Sequence, residues 1–201
     1  MRLIFTNAHL ICATNTLPQN DMAVIVDDET ISWIGPSQRV QKSEDAQIIE
    51  LGGKTLMPGL MDVHIHLCQG TTPNPIGEYT ETIPFLAIQG VANAKAFLEA
   101  GFTTTRSLGA FGYSDVAVKE AVNQGLVPGP HILASGEMVM ADGSGERGFR
   151  RPEVYVSESG MFTGVEGARR AVRTQIYNGA DVIKLIASGR VDSNAYTLPT
   201  D

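Results

Sequence analysis

The pattern of hydrophobic and polar residues changes near residue 55 of the chain. Before that point, short runs rich in β-branched and aromatic residues alternate with turn-forming segments, which is typical of strands. The strands predicted in this way cover residues 2–11, 22–26, 30–34 and 46–51. Residues 1–55 are therefore expected to form a small antiparallel β-module.

After residue 55, short apolar runs alternate with longer segments of helical periodicity. The predicted strands are 60–67, 102–108, 131–135 and 182–187, and the predicted helices are 82–100, 113–124 and 165–178. Gly101, Gly125 and Gly179 follow the three helices, where a residue that tolerates φ > 0 commonly closes the last turn. Repeated βα units indicate a parallel sheet, either doubly wound or part of a (β/α)8 barrel.

Composition and charge exclude several classes of protein. A chain of 201 residues with 43% hydrophobic content can bury a substantial core. The net charge of -7, without a basic stripe, argues against nucleic acid binding. No apolar stretch is long enough to span a bilayer, and the first residues show no export signal, so we expect no membrane association. Two cysteines do not make a disulfide framework, which favours a cytoplasmic location.

Two histidines stand out in the first apolar run after the Pro58-Gly59 turn. Side chains alternate along a strand, so His64 and His66 should point to the same face, roughly 7 Å apart along the backbone. Two neutral imidazoles on one face can bind one divalent ion. The alternative is a pair of ordinary core histidines. Cys68, two residues further on, fits a small apolar residue at the strand end better than a third ligand.

A lysine interrupts the predicted strand at residues 182–187. A buried ammonium is costly unless it is paired or chemically changed. Lys184 could be carbamylated by carbon dioxide, which would make it an anionic group able to bridge two metal ions. Taken alone, the residue fits better with a lysine whose head reaches the rim of the sheet or pairs with Asp181 or Asp192.

Taken together, the motifs resemble one family. The β-module, then 56–66 with its L-x-P-G-L-x-D-x-H-x-H pattern, then 100–106, 129–136 and 179–189 follow the order seen in the amidohydrolase superfamily. The resemblance is strongest to its imidazolonepropionase-like and Xaa-Pro dipeptidase-like members. It implies an α/β fold in which 1–55 is the N-terminal part of a small β-sandwich module. Residues 56–201 would then supply the first four βα units of an incomplete (β/α)8 TIM barrel.

The resemblance also implies a chemistry. His64 and His66 would be metal ligands from the first barrel strand, and Lys184 would be a catalytic, carbamylated lysine that bridges two divalent ions, most often zinc. Such a centre activates water for the hydrolysis of amide C–N bonds in small molecules, for example dipeptides or cyclic amides. Members of the family that carry this lysine mostly act on such substrates.

Other parts of the family pattern are missing from the sequence. The family draws further histidines and an aspartate from later strands, but the remaining histidines here, His9 and His131, are expected to be structural. The chain therefore looks like an N-terminal fragment. One alternative is a subunit, including one of a homo-oligomer, whose partner completes the barrel; another is a non-catalytic fragment. A doubly wound ligand-binding protein without metal is a third reading.

Four arginines are weaker candidates for functional residues. Arg147, Arg150 and Arg151 lie in the long loop after the predicted strand 131–135, where they could receive a substrate carboxylate, although a solvated loop is the simpler reading. Arg106, in the predicted strand 102–108, could reach the site, but it is expected instead to pair with an acidic side chain of the barrel.

Overall fold

The computed structural model describes residues 1–14, 17–41, 45–70, 80–141 and 160–187. It divides into two units, Met1–Gly59 and Leu60–Asp201. Within the described ranges, no helix is both long and apolar enough to cross a membrane.

The first unit is a five-stranded sheet built around its first strand. Its strands are β1 (Arg2–Leu10), β2 (Gln19–Asp27), β3 (Thr30–Pro36), β4 (Ala46–Glu50) and β5 (Thr55–Leu56). The order is β3-β2-β1-β4, with β5 beside the end of β1. The strand β1 buries Ile4, Ala8 and Leu10.

The sheet of the first unit is mixed, so the expectation of an antiparallel module was wrong. The strand β2 runs antiparallel to β1 and to β3, but β4 and β5 run parallel to β1. The physical reason is the connection. Residues 37–45 separate β3 from β4, and a parallel neighbour requires a crossover instead of a tight hairpin.

The second unit begins with a parallel sheet of three strands, which are β6 (Leu60–Ile65), β7 (Phe102–Ser107) and β8 (His131–Ala134). Helix α1 (Ile83–Glu99) joins the first two strands, and α2 (Ser114–Asn123) joins the second and third. The buried stripe of α1 consists of Leu86, Gly90 and Ala94, at the spacing of four expected for one helix face. Apolar residues from both helices, from β6 and β8, and from the segments after β6 and β7 form one core.

A third helix and a second small sheet follow. Helix α3 is Gly164–Tyr177, and the short strands β9 (Val139–Ala141), β10 (Met161–Phe162) and β11 (Leu185–Ile186) are parallel, in the order β10-β9-β11. The three helices lie where the sequence pattern predicted them. The glycines after them have φ of 93°, 70° and 93°, as expected for residues that close a helix.

The fourth predicted strand differs from the expectation. Only Leu185–Ile186 of the segment 182–187 is a strand, and it pairs with β9 and not with β8. The amides of Asp181 and Val182 instead donate to the carbonyl of Ala134, at 2.8 and 3.3 Å. Because Ala134 is the last residue of β8, this segment meets β8 at its carboxyl end and then continues along β9.

Candidate active site

The two histidines singled out by the sequence lie at the carboxyl end of β6. The ring centroids of His64 and His66 are 5.8 Å apart, with the ring planes at 58°. Ile65 and Leu67, which alternate with them, are 8% and 0% exposed. Val63, which also alternates with the histidines, is 55% exposed.

A backbone carbonyl orients the ring of His66. Its Nδ1 lies 3.3 Å from the carbonyl oxygen of Gly109. A carbonyl only accepts, so Nδ1 is the donor in this contact, and Nε2 of the neutral ring carries the lone pair. This arrangement is the usual one for a metal-binding histidine. Gly109 has φ of 131°, and a Cβ atom there would lie 2.8 Å from Cγ of Met138.

Side chains from neighbouring elements fix the backbone that carries the histidines. Asn93 of α1 donates from Nδ2 to the carbonyls of Leu67 and Gln69, at 2.8 and 2.9 Å. Arg106 of β7 donates from Nε to the carbonyl of Val63 at 2.7 Å. The partner of Arg106 in this bond is thus a main-chain carbonyl and not the expected acid, because the guanidinium lies beside an adjacent edge strand whose carbonyls it can reach.

A cleft lies next to His66. Its space, including the open mouth, is about 420 Å³. Most of the wall is apolar, with Leu86, Phe111 and Met138 among the lining residues, and Glu137 is its acidic member. A ligand in this cleft would lie against the imidazole of His66.

Lys184 lies half-buried directly before β11, and its carbonyl accepts from the amide of Val139 at 2.8 Å. Among the residues that the structure describes, its ammonium has no hydrogen-bond or ion-pair partner. Asp181 does not fill that place, because its carboxylate pairs with Lys119 at 2.9 Å and accepts from the amide of Ala134. The expected pairing with Asp181 was therefore wrong, and Asp192 lies outside the described residues.

The ion pair with Lys119 decides the charge of Asp181. Burial acts to raise the pKa of the Asp181 carboxyl, but the bonds from the Lys119 ammonium and the Ala134 amide outweigh it, and the pKa is lowered. Lys119 also donates to the carbonyl of Gly179 at 2.7 Å. This contact anchors the segment leading to Lys184 at the carboxyl end of β8.

Two further titratable groups near the cleft are buried, and one of them, Cys68, lines it. Burial raises the pKa of the Cys68 thiol to about 12. Burial likewise raises the pKa of Asp115 to about 6, although amides of Val116, Gly136 and Ser135 donate to its carboxylate. The reading of Cys68 as a small apolar residue agrees with its burial.

The donor set can be tested for its fit to a metal ion. Within the described ranges, no group of three or more His, Cys, Asp or Glu side chains is arranged to hold one. Two imidazoles that share an ion at about 2.0–2.1 Å would have ring centroids roughly 5 to 6 Å apart. The separation of 5.8 Å between His64 and His66 fits this geometry. Lys184 becomes a donor only after carbamylation.

The remaining candidates lie away from this site or outside the described residues. His9 of β1 contacts Oδ1 of Asn20 through Nδ1 at 2.6 Å, and His131 is exposed at the start of β8. These positions agree with structural roles. Arg147, Arg150 and Arg151 lie outside the described residues.

Sequence reasoning missed several polar residues that shape the site, among them Asn93, Asp115, Glu137 and Gln175. Asp115 and Gln175 are both fully buried. A signal for Gln175 was present: it lies four residues after Ala171 on the buried face of α3, where an apolar residue is the norm.

Comparison with known proteins identifies the family. Residues 55–201 match the model of the amidohydrolase family, and the chain belongs to this family. Its relatives include the ochratoxinase of Aspergillus niger, 29% identical over 88% of this chain and 40% of the enzyme. The chain spans half or less of the length of the curated relatives it matches.

Solved structures of proteins with related names have a similar fold. A prolidase complexed with N-methylphosphonate-L-proline has a TM-score of 0.83 and 28% identity, over 99% of this chain and 51% of the prolidase. A Xaa-Pro dipeptidase with methionine bound in its active site has a TM-score of 0.84 and 26% identity, over 97% of this chain and 49% of the dipeptidase. The α/β fold is therefore that of about half of such an enzyme.

Proposed function

We propose that the protein hydrolyses an amide C–N bond of a small molecule through a metal-activated water. The observation that carries this proposal is the pair of adjacent imidazoles of His64 and His66, 5.8 Å apart at the carboxyl end of β6. Family membership supports it, and so do the relatives, whose names include prolidase and Xaa-Pro dipeptidase.

The same proposal assigns the architecture. The strands β6, β7 and β8 and the segment 182–187 would be the first four strands of a (β/α)8 barrel, preceded by residues 1–55 as part of a β-sandwich module. The parallel order of the three strands and the helix after each of the first two support this. In such barrels the active site lies at the carboxyl ends of the strands, where His64 and His66 lie.

In this proposal His64, His66 and carbamylated Lys184 would hold divalent metal, and imidazole and carboxylate-like ligands both suit zinc. Metal bound there would activate a water for attack near neutral pH and would polarise the scissile carbonyl. The contact of His66 Nδ1 with the Gly109 carbonyl favours the tautomer in which Nε2 carries the lone pair that binds metal. For carbamylation the Lys184 ammonium first loses a proton to water; the lone pair of the neutral Nζ then forms a bond to the carbon of carbon dioxide and a second proton leaves to water, which gives an anionic carbamate.

The cleft beside His66 would bind part of the substrate. Its apolar lining suits an aliphatic or aromatic group, and Glu137 gives it one negative charge. A small amide or dipeptide fits this description, while the role of Arg147, Arg150 and Arg151 in binding a substrate carboxylate stays a prediction.

The test is amide hydrolysis by the protein supplied with zinc and bicarbonate. We expect release of amino acid from dipeptides ending in proline, and loss of that activity by at least about 100-fold in Lys184→Ala. Lys95→Ala is the matched control, because Lys95 is an exposed lysine paired only with Glu99 on α1. Equal activity in wild type and Lys184→Ala, or activity that survives a chelator, would contradict the proposal.

A second candidate is that the chain hydrolyses substrate only as a subunit whose partner covers the edge of the sheet. The side chains of Met61 and Val63 on the edge strand β6 are 69% and 55% exposed, which is unusual for apolar residues of a parallel sheet. Size-exclusion chromatography with light scattering distinguishes an active monomer from a chain that is active only in an assembly. Activity that elutes only with an assembly favours the subunit, and activity of a monomer excludes it.

A further inference from the structure

The turn that follows β8 is held by side chains in an unusual way. Three consecutive amides, of Ser135, Gly136 and Glu137, donate to buried side-chain oxygens. Oδ2 of Asp115 accepts the first two, at 3.2 and 3.3 Å, and Oε1 of Gln175 accepts the third at 3.1 Å. Both acceptors are fully buried, and they come from two different helices, α2 and α3.

A hydrogen bond to its own helix holds the side chain of Gln175 in place. Nε2 of Gln175 donates to the carbonyl of Ala171 at 3.3 Å, which turns its oxygen toward the turn. A buried amide or carboxylate without partners is costly, so these side chains are stable there only because the turn supplies donors. The turn and its acceptors therefore depend on each other.

The turn residue Gly136 makes this close approach possible. Its φ is 65°, and a Cβ atom at this position would lie 3.1 Å from Oε1 of Gln175 and 2.9 Å from the ring of Tyr113. The carbonyl of Gly136 also accepts from the amide of Ala110 at 2.9 Å. The turn after β8 is thereby joined to the turn after β7.

Glu137, the last residue of the turn, and Met138 after it belong to the wall of the cleft that His66 also lines. Met138 packs against Gly109, which in turn accepts from His66. A small displacement of residues 135–137 would therefore move the part of the cleft wall that Glu137 and Met138 form, in the cleft that His66 also lines.

We infer that Gln175 and Asp115 are positioning residues that hold the turn 135–137, and through Glu137 and Met138 determine which substrate side chain the cleft admits. This inference rests on the proposed function, since it treats the cleft as a substrate site. Neither residue touches the cleft itself, so their effect is expected on selectivity before it appears on the chemical step.

The test compares two dipeptides that differ only in one side chain, glycyl-L-proline and L-methionyl-L-proline. Their dissociation constants are measured by calorimetry with the protein and its variants after a chelator has removed metal, so that hydrolysis does not consume the dipeptides during the titration. Gln175→Leu removes the acceptor for the Glu137 amide, and we expect the ratio of the two constants to change roughly tenfold. Gln175→Glu retains an oxygen acceptor and should restore the ratio to within about twofold of the wild type.

The control is Thr174→Val, on the neighbouring position of α3, where the hydroxyl bonds only to the carbonyl of Arg170 on its own helix. Its ratio should equal that of the wild type. Hydrogen exchange of the Glu137 amide gives a second readout, faster in Gln175→Leu and unchanged in Gln175→Glu. If Gln175→Leu does not fold, Asp115→Ala, with Asp115→Asn as the variant that retains an oxygen acceptor, provides the same comparison for the amides of Ser135 and Gly136.

An unchanged ratio together with faster exchange would overturn the inference, because the turn would then move without affecting binding. An equal change in Thr174→Val, or no measurable binding of either dipeptide to the wild type, would overturn it as well. A changed ratio in a protein that binds but does not cleave the dipeptides would uphold the positioning role and contradict only the proposed hydrolysis.

Discussion

The two units of the protein use polar groups differently. In Met1–Gly59 the described ion pairs, Met1 with Asp28 and Arg2 with Asp27, lie at the surface. In Leu60–Asp201 the structure describes six buried polar residues, which are Thr105, Ser107, Ser114, Asp115, Ser135 and Gln175. Buried polar groups cost stability unless their geometry is well satisfied. Their concentration around the carboxyl ends of β7 and β8 indicates that this region is built for positioning.

The largest expected effect concerns the pH dependence of stability at Asp115. Burial raises its pKa from 3.8 to about 6, so the folded protein holds this proton more tightly than the unfolded chain. The free energy of unfolding therefore falls as pH rises between those values and is constant above about 6, a loss of about 3 kcal/mol.

Asparagine has no such proton, so Asp115→Asn should lack this loss. Urea denaturation of both proteins at about pH 4 and about pH 7 measures it. The free energy of unfolding of the wild type minus that of the variant should be larger at about pH 4 than at about pH 7, by roughly 2 kcal/mol. The same difference at both pH values would show that the carboxyl is not buried as described.

A smaller effect on stability is expected at the partly buried pair of Lys119 and Asp181, and its pH dependence is opposite to that of Asp115. Lys119→Met leaves the carboxylate of Asp181 without its cation and should cost about 1–3 kcal/mol at neutral pH. The pKa of Asp181 is lowered in the fold, so this stabilisation is present at neutral pH and is lost as pH falls through the lowered pKa.

The control for this pair is Lys95→Met, which removes an exposed pair with Glu99 at 3.7 Å on α1. Its free energy of unfolding should stay close to that of the wild type. If Lys119→Met and Lys95→Met lose equal stability, the partial burial of Lys119 does not make its pair with Asp181 more stabilising than an exposed pair.

The smallest effect is expected in the first unit. Arg2 binds Asp27 through two hydrogen bonds, of 2.6 and 3.0 Å, and these bonds lower the pKa of Asp27 to about 2. Both groups are open to solvent, so water and salt replace the interaction when it is lost. Arg2→Gln should leave the urea midpoint unchanged at physiological salt, and a clear loss of stability would remove the contrast between the two units.

Local pattern was enough to predict part of this structure. Helical periodicity and the glycines at 101, 125 and 179 located all three helices, and alternation placed the rings of His64 and His66 side by side. These features depend on residues close in sequence.

Features that depend on distant residues were not predicted. The parallel pairing of β4 with β1 depends on a crossover, and the bond from Lys119 to Asp181 joins residues 62 positions apart. The three amides of the turn 135–137 are bound by side chains from two separate helices, which no local pattern marks.

The most direct test of the central claim is the metal content of the chain after purification with zinc and bicarbonate, measured by elemental mass spectrometry. The wild type and His131→Ala, which removes an exposed imidazole at the start of β8, should each hold about one to two zinc ions per chain. His64→Ala/His66→Ala should hold almost none. Equal zinc in all three proteins, or none in the wild type, would contradict the assignment of His64 and His66 as the metal site.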